Sequence, residues 1–117
     1  MRIRAKKTTI DNITFDSKRE GMRYIELKQL QKAGIVRDLR CHTKHQLELA
    51  GRPLLIKSEG YPNGRRASYT DDFSYEVRED GGWVKVIEDV KGYDVPLARF
   101  RRSVFELLSG LSVSVVR

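Results

Sequence analysis

A chain of 117 residues has room for one domain of ordinary size and not for two. A third of the residues are charged, 39% are hydrophobic, and the single cysteine, Cys41, excludes an internal disulfide and a cysteine-built zinc cage. The net charge of +7 favours a polyanionic partner, while the lack of any apolar run near the roughly 20 residues that span a bilayer argues against a membrane protein.

Residues 1–14 are basic and lack periodicity, so they read as a flexible arm, and 15–117 as a single folded domain. Met1–Lys7 has no apolar stretch of the signal-peptide kind, which gives the expectation of a cytoplasmic protein. Ser17-Lys18-Arg19-Glu20 has the form of a capping box, and the apolar residues Met22, Tyr24, Ile25, Leu27 and Leu30 predict a helix that runs to about Lys32 and stops at Gly34. Short β signals follow at Ile35-Val36, Gln46–Leu49 and Leu54–Lys57, and Ser58–Arg66 reads as a loop with Arg65 and Arg66 at its exit. Pro96 opens a second helix over 96–109, with Leu97, Phe100, Val104, Leu107 and Leu108 at core spacing, Arg99, Arg101 and Arg102 on its other surfaces, and Gly110 at its end. Leu111–Val116 alternates as a last strand. The fold class is α/β in the α+β sense, a mixed sheet flanked by helices in the order α-β-β-β-α-β.

The most informative region lies between the loop and the second helix. Tyr69–Tyr75 and Val86–Gly92 read as arms of one hairpin closed at Asp80-Gly81, and a two-residue type I′ turn there sets Glu79 opposite Gly82. Counting outward sets Asp72 opposite Asp89, with Cβ atoms roughly 4.5–5.5 Å apart. Lys91 projects from the same surface as Asp89, two residues on. Tyr69, Asp71, Phe73 and Tyr75 share the apolar face of the first arm and Asp72 the polar one; Glu88 faces away from Asp89 on the second. Residues 71–94 carry a charge balance of −5 inside this basic chain. Opposed carboxylates repel, and a hard divalent cation turns that liability into a site that holds Mg2+ against phosphate.

The elements Asp72 and Asp89-Val90-Lys91 resemble the D…(D/E)-x-K signature of the PD-(D/E)XK nucleases, the restriction-endonuclease-like fold. Phe15–Glu20, Tyr24–Leu27, Ala33–Leu39, Tyr69–Phe73, Glu88–Gly92 and Phe100–Phe105 appear in an order similar to that of small phage and prophage proteins assigned to that superfamily. The resemblance implies an Mg2+-dependent DNA endonuclease, with Mn2+ as a substitute ion, acting in DNA recombination or processing, on branched DNA in one version, in the host-cell cytoplasm if phage-encoded. Asp72 and Asp89 would bind metal, Lys91 would assist the water, and Glu20 matches the first-helix glutamate that joins the site in many members. Glu20 also has a capping task by position. Arg65, Arg66, Arg99, Arg101 and Arg102 are the expected phosphate contacts, and cutting two strands implies a homodimer.

Two features stand outside the resemblance. Around Cys41-His42-Thr43-Lys44-His45 the family pattern calls for a Gln-Pro pair and an aromatic residue, and the spacing of His42 and His45 puts them on opposite faces of a strand, so they read as solvated or core-edge residues. The alternative for the whole chain is a catalytically silent DNA-binding module on a nuclease-like fold.

Overall fold

Ser17 takes up an extended backbone and its hydroxyl accepts the Glu20 amide at 3.1 Å, which starts helix α1 (Lys18–Lys32) where the sequence predicts it. Gly34, at φ 78°, turns the chain out of the helix. The computed structural model describes residues 6–117. Within the expected N-terminal arm, Thr8–Ile10 (β1) and Ile13–Phe15 (β2) form an antiparallel hairpin; its turn, Asp11-Asn12, has φ 52° and 63°, the left-handed pair a tight I′ turn needs. Thr8 and Ile10 lie against the α-carbon of Gly21 in α1, too close for a larger residue without a shift. Residues 8–14 of the expected arm thus form strand and turn, and its first five residues lie outside the described ones.

The main sheet has four strands in the order β12-β11-β10-β3, comprising Val36–Cys41 (β3), Phe73–Glu79 (β10), Gly82–Val90 (β11) and Val113–Val116 (β12). Asp80 and Gly81 both have positive φ, 48° and 77°, and the β10–β11 register runs from Glu79↔Gly82 to Phe73↔Glu88 as the turn chemistry predicts. Strand β12 lies parallel to β11, so helix α2 (Pro96–Ser109) supplies the crossover between them. Among the described residues the chain is α+β, with two helices, a majority of strands and several small sheets, one of them the pair Glu48–Leu49 (β5) and Arg52–Pro53 (β6). No helix among the described residues is long and apolar enough to cross a membrane.

Each face of the main sheet has its own core. Phe15, Tyr24, Leu27, Val36, Phe73, Tyr75 and Val90 cluster on the α1 side; Leu47, Ala67, Tyr69, Ile87 and Phe105 cluster on the α2 side. Phe15, Leu27 and Phe73 are fully excluded from water, each contributing about 2–3 kcal/mol of apolar burial. Tyr69 and Phe73 thus lie in different layers, whereas continuous alternation would put them in one. The strand breaks between them: β9 (Ser68–Thr70) pairs with β4 (Lys44–Gln46), β10 begins at Phe73, and Asp71-Asp72 form the joint. Opposite the joint, His42 has φ 55° and the Asp71 carboxylate, in place of a carbonyl, takes the Thr43 amide at 3.0 Å.

Two further expectations change. The Ser58–Arg66 loop is largely strand: Leu55–Ser58 (β7) pairs with Tyr61–Arg66 (β8) in a ribbon whose residues are exposed except Gly64. Pro62-Asn63-Gly64 masks that strand in sequence, but Gly64 is needed because a Cβ there would sit 2.7 Å from the Leu55 Cβ. On α2, Val104 and Leu108 pack toward the core as their spacing predicts, whereas Leu97, Phe100 and Leu107 are exposed and Arg102 and Phe105 are buried, so the buried face is turned from the predicted one.

Candidate functional site

The acidic joint and the end of β11 meet at one cleft. About 380 Å3 in volume, it is lined by Asp72, Asp89 and Lys91, by Tyr69, Asp71 and His42, and by Asp16, Ala98 and Arg101 from the starts of the two helical segments. The register explains the meeting, since the Asp72 amide donates to the Glu88 carbonyl at 3.1 Å and the Asp72 Oδ2 accepts the Val90 amide at 2.6 Å. Asp72 is thereby fixed beside the strand that carries Asp89.

From the opposite side, α1 brings Glu20. Its backbone amide is capped by Ser17, whereas its side chain, 3% exposed as a residue, points inward with Oε1 2.6 Å from His42 Nε2. The cap and the site therefore use different atoms of the same residue. Glu20, His42 and Asp72 each offer a ligand atom, and the three lie within 4.8 Å of one another. His42 is held over this spot by its amide, which donates to the Asp72 carbonyl at 3.1 Å, and by the Phe15 ring 5.6 Å away.

Burial, then the nearby Glu20 and Asp89 charges, pushes the Asp72 carboxyl up to about 7, despite the opposing Val90 amide and Lys91. Asp89 faces cations: Lys91 Nζ at 3.8 Å and Arg102 at 3.4 Å from the same Oδ2. Burial and the Asp89 charge raise the Tyr69 hydroxyl well above its usual range, and it has no hydrogen-bond partner among the described residues. Lying beside Asp89, it stays protonated.

The chain matches, over residues 1–110, the family described as Protein of unknown function (DUF1064). It belongs to that family. No curated protein and no solved structure matches it. For this DUF1064 chain, then, the chemistry is read from its own side chains.

Of the residues singled out in sequence, Asp72, Asp89 and Lys91 line one cleft, and Glu20 is adjacent through His42 and Asp72. Arg101 reaches the same cleft from α2. Arg65 and Arg66 stand on the exposed β7–β8 ribbon, with the Arg65 guanidinium 5.0 Å from the Tyr61 ring. Arg99 is exposed on α2. Arg102 differs from its expected place on the solvated surface: it is 8% exposed, bound to both Asp94 oxygens as well as to Asp89. Its guanidinium is committed to protein carboxylates and not to a phosphate backbone.

His42 is the residue that sequence patterning passed over. Strand alternation assigns it to the rim, and only its left-handed φ turns it to Glu20. His45 is internal: its Nε2 lies 2.7 Å from the fully buried Asp71, and its ring packs 4.9 Å from Phe105. Glu88 is also internal, bound on the α1 side by Arg23 at 2.6 and 3.0 Å and by the Tyr75 hydroxyl. Burial pushes the Cys41 thiol up to about 11, which removes it as a nucleophile near neutral pH.

Proposed function

We propose that this chain is a metal-dependent DNA endonuclease of the PD-(D/E)XK kind, hydrolysing phosphodiester bonds in DNA recombination or processing. The observation that carries the reading is the convergence of Asp72, Asp89 and Lys91 on one cleft with Glu20 behind them, three chain segments meeting where the motif requires it. The donors suit a hard or borderline divalent cation, being carboxylate oxygens with one imidazole, and Asp72, Asp89 and Glu20 would hold it. Such a cation supplies a Lewis acid for a phosphoryl oxygen and an activated water.

The protein's own groups have separable tasks. Asp72, with its carboxyl near 7, is poised to hold a proton at neutral pH when nothing else neutralises the acidic cluster. The Lys91 ammonium, 3.8 Å from Asp89, offsets negative charge that builds on phosphorus in the transition state. Arg101 at the cleft and Arg65 and Arg66 on the ribbon attract the backbone, and the salt dependence of binding measures them. Cutting both strands takes two copies, a homodimer that sedimentation of the DNA complex tests.

Incubation with supercoiled plasmid and four-way DNA in Mg2+, Mn2+ and Ca2+ tests the activity. Nicking in Mg2+ or Mn2+, with binding alone in Ca2+, is the expected result; binding without cleavage in every ion refutes it. One observation favours the silent DNA-binding alternative: Arg102 and Lys91 already neutralise Asp89. On that reading Asp89→Ala lowers stability and leaves DNA affinity unchanged.

A further inference from the structure

The Glu20–His42 contact asks more of the cleft than a carboxylate pair. Asp89 has Lys91 and Arg102 on one oxygen, whereas Glu20, His42 and Asp72 face one another from three segments, with ligand atoms no more than 4.8 Å apart. Bonds of about 2.0–2.2 Å to a common ion put ligand atoms roughly 3–4 Å apart, so closure takes shifts of an ångström or less. His42 Nε2 and Glu20 Oε1, at 2.6 Å, already stand closer than two ligands on one ion. The His42 backbone is pinned to Asp72, and its ring lies 5.6 Å from that of Phe15. The buried Tyr69 hydroxyl on the same wall lies beside Asp89 and supplies no further ligand.

Imidazole nitrogen discriminates among ions. Mg2+ takes hard oxygen ligands and keeps its waters, while Mn2+, Co2+ and Zn2+ gain from nitrogen in rising order toward the right of the row. We propose that His42 joins the carboxylates of Glu20 and Asp72, with Asp89 beside them, as a direct ligand, giving the centre one imidazole nitrogen and a preference for first-row transition ions over Mg2+. This rests on the reading that the cleft takes a divalent cation, and it changes which ion the protein selects. The sequence contains two histidines, and His45 is engaged with buried Asp71, so a nitrogen signal from a bound ion reports on His42.

The test uses the full chain stripped of metal, titrated calorimetrically near neutral pH with MnCl2, CoCl2 and MgCl2, and pulsed EPR of the Mn2+ form to detect imidazole 14N coupling. Expected are Mn2+ and Co2+ affinities at least about tenfold above Mg2+, clear 14N modulation, and loss of all three ions in Asp72→Asn. His42→Asn, chosen because asparagine tolerates the positive φ, should weaken Co2+ about tenfold or more and Mg2+ less than about twofold. Mn2+ bound without 14N coupling, or Co2+ affinity unmoved by His42→Asn, overturns the inference and leaves the nuclease reading to the plasmid assay. Coupling with an uncut plasmid in every ion upholds the inference and sinks the nuclease. Failure of all three ions to bind overturns both. The EPR readout on the unaltered chain keeps the test decisive if the variant does not fold.

Discussion

Replacing Asp72 by asparagine should stabilise the metal-free protein at high pH. The folded state raises this carboxyl from 3.8 to about 7, chiefly by burial and by the charges of Glu20 and Asp89. Between those values the native protein holds a proton that the unfolded chain releases, so stability declines as pH rises through that window. Below about pH 4 the penalty is absent; above about pH 7 it is fully developed. At 1.36 kcal/mol for each tenfold change, the gap corresponds to on the order of 4 kcal/mol, and water reaching the open side of the cleft trims it to about 2–4 kcal/mol. Asparagine removes the charge while its amide oxygen still accepts the Val90 amide, now 2.6 Å from Oδ2. Urea denaturation in EDTA, followed by circular dichroism, should show the wild type losing stability from about pH 5 to about pH 8. The asparagine variant should stay flatter and be the more stable protein at the upper end. Wild-type stability that is level or rising over that range, with no advantage for the variant at about pH 8, would refute the electrostatic account.

Three further outcomes separate the site from its surroundings. Lys91→Ala should cut plasmid nicking by about 10²-fold or more while leaving cation affinity equal or higher, since the lost ammonium competes with a cation for the Asp89 region; calorimetry beside the nicking assay checks both halves. Glu88→Ala should cost about 3 kcal/mol in urea, because Arg23 and the Tyr75 hydroxyl lose a buried partner, yet leave cation binding intact, Glu88 being on the other face of the strand from Asp89. Arg65→Ala with Arg66→Ala should weaken DNA binding without altering stability, and make the dependence of log affinity on log salt shallower by about two, as read by fluorescence anisotropy.

What the sequence made legible was local geometry with a strong chemical cause. Asp80-Gly81 dictates a tight turn, the turn dictates register as far as Phe73 opposite Glu88, and the bonds of Asp72 to Glu88 and Val90 then hold it beside the strand that carries Asp89 and leads to Lys91. Ser17 and Gly34 bound α1 for equally local reasons. What escaped were features decided by partners distant in sequence. Apolar spacing on α2 points to Leu97, Phe100 and Leu107 as core, but Asp89 and Asp94 satisfy the Arg102 guanidinium and Phe105 stacks on Tyr69, which turns the helix and leaves those three exposed. A rule that sends arginine to solvent holds only while no carboxylates wait beneath it.

The same logic accounts for His42 and sharpens what the cleft is for. Alternation along a regular strand assigns each side chain a face, and the joint at Asp71-Asp72 with its partner at His42-Thr43 is where regularity ends. There the Asp71 carboxylate substitutes for a backbone acceptor, His42 adopts φ 55°, and Tyr69 changes layers relative to Phe73. A chain selected for stability alone has no reason to gather Glu20 and Asp89 around Asp72, where burial raises the energy of its charge. The strain and the charge cost fall on the same few residues. A bound cation would offset the charge cost by neutralising the carboxylates. Cation binding should therefore stabilise the wild type more at about pH 8 than at about pH 5, where protonated Asp72 competes with the ion, and a thermal-melt series in MnCl2 at the two pH values decides it.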